Sequence, residues 1–320
     1  MKRHNKDVCV IGLGYIGLPT AAILAKEGYS VAGVDKEKLV IDKLNDGQTH
    51  ISEPGLSDLV NDAVKEGHLR AHLKPIKSDI YIICVPTPFV KKGDIPSPDL
   101  SYVVAAVQSF ASLIKPGDIV ILESTSPVGT TEKIRSIFSD MNINTDEVSI
   151  AYCPERVLPG NILHELVMND RIVGGVNNES SEIVADFYSS FVEGEVHKTT
   201  ANTAEMCKLA ENSYRDVNIA FANELSMICD NFDINPWDLV HLANKHPRVN
   251  VLQPGTGVGG HCIAVDPWFI VSSDPMNSHL IRTARDVNNK KTKLLYMAPE
   301  SFAKQSNIDF LKSVSYTHLR

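Results

Sequence analysis

The sequence predicts an α/β fold: a Rossmann-like, doubly wound parallel sheet followed by a helical middle domain. Three observations predict it. Short, continuously apolar runs recur through residue 199, and such runs read as strands buried on both faces, as in parallel sheets. Helical stretches alternate with them, the alternation of an α/β layer structure. The first apolar run passes directly into Gly12-Leu13-Gly14-Tyr15-Ile16-Gly17, a strand-turn-helix joint that needs glycine.

Composition narrows the class. The 320 residues are 43% hydrophobic and 22% charged, with a formal net charge of −8, which suits a soluble protein of two domains. An acidic balance argues against broad binding to a phosphate backbone, so no nucleic-acid partner is expected. No apolar run is long enough for a membrane span, and no signal-peptide apolar region stands behind the polar start, so neither a span nor a secretory leader is expected. The six cysteines are scattered without a Cys-x-x-Cys pair, so neither a metal site nor a disulfide framework is expected. Cys9 and Cys84 sit in apolar runs and read as packing residues. A reducing cytoplasm fits this pattern.

In chain order, 7–11 is the first strand, the glycine turn follows, a helix runs over about 18–27, and a second strand over 30–34 ends in Asp35. Strand, G-x-G-x-x-G, helix, strand and acid together form a dinucleotide fingerprint. Gly12 makes the turn, Gly14 admits the pyrophosphate, and Gly17 lets helix and strand pack closely. The helix N-terminus then faces the phosphates. Asp35 accepts from ribose hydroxyls and repels a 2′-phosphate, so the expected cofactor is NAD rather than NADP.

Residues 80–85 form another strand, leading to Thr87 and a Pro/Gly-rich loop up to Pro98. A helix over 103–113 and a strand over 119–122 follow, ending in Glu123-Ser124-Thr125, with a helix from near Thr131. A strand over 148–152 runs into Cys153-Pro154-Glu155-Arg156-Val157. Hydroxyls, a carboxylate and an arginine therefore stand at strand ends, where open parallel sheets bind ligands; turn and cap roles fit each of them singly as well. A strand from 171, a helix over 179–191 and a strand over 196–199 close the region.

The longest helical pattern follows, over 203–231, with Glu205, Lys208, Asn212, Arg215 and Ile219 on one face. Its other faces are largely apolar or small, so a cleft-lining polar stripe and a dimer interface are both expected. A shorter helix over 235–243 leads to the basic loop Lys245-His246-Pro247-Arg248. Glycines then crowd ahead of Cys262 in Gly257-Val258-Gly259-Gly260-His261-Cys262. A thiol opening a helix there has its pKa lowered, with His261 adding to the effect; on spacing alone a turn and a buried cysteine fit too. A last helix covers 275–288, and the domains divide as 1–199, 200–289 and an atypical tail over 290–320.

These motifs together resemble the UDP-glucose/GDP-mannose dehydrogenase family. The resemblance rests on GLGYIGLPTA (12–21), VPTP (85–88), ESTSPVG (123–129), YCPERVLPG (152–160), the run 203–225, HPRVN (246–250) and GVGGHCIAVDP (257–267). Within the family the pattern is most similar to members acting on UDP-N-acetylhexosamines, UDP-N-acetyl-D-mannosamine above all. The resemblance implies a four-electron oxidation of a sugar C6 alcohol to a uronic acid through a cysteine thioester, with two NAD⁺ reduced.

By the same resemblance Cys262 is the nucleophile. Lys208 is the acid/base or oxyanion stabiliser with Asn212 as its partner, and Asp266 orients Lys208 or water. Glu155 is the base for thioester hydrolysis, and Thr125 positions water. Tyr15, Ile16, Thr87 and Thr131 join the glycines and Asp35 as cofactor contacts. Arg156, Val157, Arg215, His246, Arg248 and Gly259 contact the sugar nucleotide together with Lys208 and Asn212, and Arg248 serves the neighbouring subunit of a homodimer. The resemblance further implies a C-terminal nucleotide-binding domain that the tail does not match, which would weaken sugar-nucleotide binding. Two rival readings fit parts of the chain: a 6-phosphogluconate-like β-hydroxyacid dehydrogenase, which has no use for Cys262, and a non-catalytic NAD-binding dimer.

Overall fold

The computed structural model describes residues 4, 6–90, 93–260 and 262–297. Contacts divide them into two compact units: Met1–Pro88 with Asp99–Lys208, and Phe89–Pro98 with Leu209 onward.

The first unit opens with β1 (Asp7–Ile11), α1 (Gly17–Lys26) and β2 (Ser30–Val34). Then come α2 (Lys38–Asn45), α3 (Leu56–Lys65), β3 (Leu69–His72) and β4 (Ile80–Ile83). The short strands β5 (Phe89–Val90) and β6 (Ser97–Pro98) pair as an antiparallel hairpin that belongs to the second unit. The first unit resumes with α4 (Ser101–Phe110), β7 (Ile119–Leu122), α5 (Thr130–Asp140) and β8 (Ser149–Tyr152). It closes through α6 (Ile162–Met168), β9 (Arg171–Gly175), α7 (Asn178–Tyr188) and β10 (Val196–Thr200).

Eight strands form one sheet in the order β10-β9-β8-β7-β4-β1-β2-β3. Every pairing is parallel except β8 with β9. Burial explains the apolar runs. On β1, Val8 and Val10 join the core under α1, α3, α6 and α7, while Cys9 and Ile11 join the core under α4 and α5. Both faces are covered, so no polar residue is tolerated on either. β1 has β2 on one side and β4 on the other. The strand order reverses there, and the crevice outside the carboxyl ends of such strands is where ligands bind.

α8 (Ala201–Phe232) supplies its first turns to the first unit and the rest to the second. α9 (Pro236–Ala243), α10 (Asp266–Ser273) and α11 (His279–Met297) complete the second unit. Asn235 caps α9 by accepting from the Trp237 N–H, with Pro236 at the first helical position. A small apolar cluster of Leu209, Val265 and Phe269 packs with Phe89 and Ile270.

Several boundaries differ from the sequence reading: β4 ends at Ile83 rather than 85, and α4 runs Ser101–Phe110 rather than 103–113. α7 stops at Tyr188 rather than 191, where the chain turns through Ser190 and Phe191. The last helix begins at His279, because Asp274, Pro275 and Asn277 make a turn held by the Asp274 carboxylate. It then runs on past Lys290 to Met297 without a break. Residues 298–320 of the expected tail lie outside the described residues, as does His261.

Candidate active site

The glycine turn has the shape a pyrophosphate needs. Gly12 has φ +95, and a Cβ there would stand 2.7 Å from the Cys84 carbonyl oxygen. A Cβ on Gly17 would stand 1.8 Å from the Gly12 carbonyl oxygen, so the helix meets the turn backbone to backbone. A Cβ on Gly14 would meet nothing within 4 Å, which leaves that side of the turn open. Asp35 is braced for its role: Oδ2 accepts from the Leu13 N–H at 3.0 Å and Oδ1 from the Glu37 N–H at 3.0 Å. Tyr15 is exposed beside the turn and Ile16 half-buried. A fixed acid at the end of β2 and an open glycine turn after β1 fit NAD.

Strand ends supply the next groups. The Thr87 hydroxyl donates to the Thr125 carbonyl at 2.5 Å, tying the ends of β4 and β7. The Thr125 side chain belongs to a half-buried residue. Thr131 is fully buried, and both its N–H (2.8 Å) and its hydroxyl (2.7 Å) donate to Glu205 Oε1. Glu205 Oε2 accepts from the Gly129 N–H at 2.6 Å, so this carboxylate caps the N-terminus of α5. Burial pushes the Glu205 pKa up, against the pull of these hydrogen bonds.

Glu155 follows β8, and Lys208 stands two turns into α8. Lys208 Nζ donates to the Glu155 carbonyl at 2.7 Å and lies 3.3 Å from Glu155 Oε1, with both side chains largely buried. Glu155 Oε2 accepts from the Val157 N–H. An amine and a carboxylate held in contact can exchange a proton, the requirement for acid–base work. Arg156 is half-buried, its backbone carbonyl accepting from Asn169.

In the second unit, Asn212 Nδ2 donates to Asp266 Oδ2 at 2.6 Å, both residues buried. Cys262 is exposed and stands one turn ahead of α10, its carbonyl accepting from the Val265 and Asp266 N–H groups. It therefore precedes the helix rather than opening it. Burial pushes the Cys9 and Cys153 thiols to about 12, and Cys84 is also raised by burial and by Glu123, so these thiols are inert. Arg215, His246 and Arg248 are exposed and Gly259 half-buried. The His246 Nδ1 accepts from the Arg248 N–H at 3.3 Å.

Several polar residues escaped the sequence reading. Glu123, at the end of β7, is buried and accepts from Tyr188 Oη (2.6 Å), Cys84 Sγ (3.2 Å) and Thr20 Oγ1 (3.4 Å). The buried polar stripe of α8 continues from Asn212 through Asp216 and Asn223, whereas Arg215 faces outward. Asp216 pairs with Arg285 at 2.6 Å in full burial. Only the spacing signal was available for these, and it fits Arg215 and Asp216 equally.

Comparison with known proteins agrees with this geometry. The NAD binding domain of the UDP-glucose/GDP-mannose dehydrogenase family matches residues 6–192, and its central domain residues 202–290. The UDP-N-acetyl-D-mannosamine dehydrogenase of Campylobacter jejuni is 54% identical over 300 residues, covering 91% of this chain and 73% of its own length. That of Escherichia coli K12 is 54% identical over 293 residues, 89% of this chain and 69% of its own. Among solved structures, the UDP-N-acetyl-mannosamine dehydrogenase of Staphylococcus aureus superposes with a TM-score of 0.85 at 44% identity, covering 94% of this chain and 72% of that one. The open glycine turn, the braced Asp35 and the Lys208–Glu155 pair thus sit in a chain that belongs to the UDP-glucose/GDP-mannose dehydrogenase family and is an NAD-dependent oxidoreductase.

Proposed function

We propose that the chain oxidises the C6 alcohol of a UDP-N-acetylhexosamine, UDP-N-acetyl-D-mannosamine first, to the uronic acid. The observation that carries this is the buried contact of Lys208 with Glu155, an acid–base pair at a strand end, in a chain that also exposes the Cys262 thiol. Relatives named for that substrate, at 54% identity over 91% of the chain, support the choice of sugar.

Bound NAD⁺, held by the turn 12–17 and by Asp35, supplies the hydride acceptor for each of two oxidations. In the first, Lys208 takes the hydroxyl proton as the alcohol becomes an aldehyde. The Cys262 thiolate then adds to the aldehyde carbon, forming a C–S bond, and Lys208 and Asn212 donate to the new oxyanion. Asp266 holds the Asn212 amide in orientation. Loss of the second hydride converts this thiohemiacetal to a thioester. Water positioned by Thr125 gives a proton to Glu155 and attacks the carbonyl; the C–S bond breaks, the thiolate leaves, and the carboxylate is released. Arg156, Val157, Arg215, His246, Arg248 and Gly259 bind the sugar nucleotide, and Thr87 and Thr131 support the cofactor side.

We also infer a homodimer built on α8. Tyr214, Phe221, Ile228 and Phe232 recur along it at helical spacing and are 71%, 53%, 46% and 70% exposed, an apolar stripe of the kind that seeks a partner helix. No described helix is long and apolar enough to cross a membrane. Cys9, Cys84, Cys153, Cys207 and Cys229 are free thiols, which suits a reducing cytoplasm. The family matches at 6–192 and 202–290 support a functional division near 199/200.

The test is Cys262→Ala, assayed with UDP-N-acetyl-D-mannosamine and NAD⁺. Acid formation should cease, because no thioester forms. Uronic acid made at the unmutated rate would refute the covalent route.

A further inference from the structure

α8 carries two buried asparagines, Asn212 and Asn223. Their spacing of eleven residues is about three helical turns, so they lie on one face. Asn212 holds Asp266, just beyond the thiol. Asn223 Oδ1 accepts from the Gly255 N–H at 2.8 Å, just before it. The segment 255–266, which carries Cys262, is therefore gripped at both ends by the same helix face.

The second grip has a fixed polarity. An amide side chain has one donor end and one acceptor end. Asn288 Nδ2 donates to the Asp216 backbone carbonyl (3.1 Å) and to Asp216 Oδ1 (2.8 Å). The first of these partners can only accept, and the second faces the Arg285 guanidinium at 2.6 Å, which cannot give up its proton. Asn288 must therefore turn its Oδ1 the other way, where Asn223 Nδ2 donates to it at 2.8 Å. That in turn leaves Asn223 Oδ1 for the Gly255 N–H. Each amide is oriented by the one before it, and Asp216, Arg285, Asn223 and Asn288 are all at most 1% exposed. α11, which carries Asn288, forms a wall for the loop. Gly257 has φ +114, and a Cβ there would stand 2.0 Å from Thr292 Oγ1 and 2.8 Å from the Asn288 carbonyl oxygen.

We infer that Arg285, Asp216, Asn288 and Asn223 form a polarity relay that sets the register of the thiol loop, with Asn223 a positioning residue acting on Cys262 through Gly255. The inference rests on the reading of Cys262 as nucleophile and assigns to α11 a part in holding it.

Asn223→Asp tests the relay. A neutral carboxylic acid offers one donor and one acceptor, like the amide it replaces; an ionised one offers only acceptors. Burial raises the pKa of such a group above the ordinary value of ~4. The variant should therefore behave like the unmutated chain at pH 5.5 and lose the relay at pH 8. Hydrogen exchange of the 255–260 amides, taken as a ratio to the unmutated chain at each pH, should be near one at pH 5.5 and rise roughly tenfold at pH 8. Acid formation from UDP-N-acetyl-D-mannosamine and NAD⁺ should fall in parallel, with the KM for NAD⁺ unchanged. Asn223→Leu should show the fast exchange at both pH values. A merely structural asparagine would give Asn223→Asp no such pH-dependent rescue confined to the loop. Loop exchange equal to the unmutated chain at pH 8 would overturn the relay, as would equally fast exchange at both pH values in Asn223→Asp. The Cys262→Ala assay separates the two ideas: if it still makes acid, the nucleophile reading fails, while loop exchange still decides the relay.

Discussion

Lys208 Nζ meets Glu155 twice, at the backbone carbonyl (2.7 Å) and at the carboxylate (3.3 Å). The carbonyl contact does not depend on the ionisation of Glu155. Lys208 is thus held in place whichever partner carries the proton, and the carboxylate is free to accept one from water.

The two residues should separate in kinetics. Lys208→Ala should slow both oxidations by about 10²-fold or more, through lost charge stabilisation. Glu155→Gln keeps the carbonyl contact but cannot take a proton, so oxidation should proceed to a burst of NADH near two per site and then stall at the thioester. Rapid-mixing absorbance with NAD⁺ and UDP-N-acetyl-D-mannosamine reads both. A Glu155→Gln variant that turns over at the unmutated rate would remove Glu155 from the hydrolytic step.

The stripe on α8 makes a prediction about mass. The chain should scatter light as a dimer of 35.1 kDa subunits at micromolar concentration. Phe221→Glu should shift it toward monomer, because a charge would be buried in an apolar contact. A Phe221→Glu variant that stays fully dimeric would place the interface elsewhere.

Acid stability should depend on Asp79. Its pKa is lowered, first by the hydrogen bond from Lys115 (2.6 Å), then by the Asp7 N–H (2.9 Å), with burial opposing. A folded pKa below the unfolded one stabilises the fold above the ordinary value of 3.8, and that contribution is lost as pH falls through the folded pKa. Asp79→Asn should lower the melting temperature at pH 7 by roughly 2 °C, a partly exposed pair contributing little, and the gap should close toward pH 3. A gap constant with pH would show that the ion pair carries none of this dependence.

The first strand-turn-helix unit was legible because its constraints are local. Gly12, Gly17 and Asp35 answer to neighbours within the same unit, apart from the Cys84 carbonyl. Three helices and three strands went unread, namely α2, α3, α6, β3, β5 and β6, since they fall between or within polar and Pro/Gly-rich loops. On α8, periodicity alone could not choose between Arg215 and Asp216, which stand three and four residues beyond Asn212 and so fit its face equally. The choice is made by Arg285, 69 residues further on, and no local pattern encodes it. Lys208, Asn212 and Cys262 were found through motif resemblance, whereas Asn223 and Asn288 carry no local signal that separates a relay from a solvated surface. The end of α11 was misplaced for another reason: Lys290, Lys291 and Lys293 read as a charge run, yet lysine is a good helix former.

The strand order also bears on how the chain assembles as it is synthesised. β4 pairs with β1 across the interval that holds β2 and β3, so the inner edge of β1 stays bare until residue 83 has emerged. From there each of β7, β8, β9 and β10 adds beside the main-sheet strand made just before it. Growth from that edge is therefore vectorial. Each new strand finds its neighbour already in place, and the β1–β4 closure spans the longest interval of the sheet, so it carries the largest closure entropy.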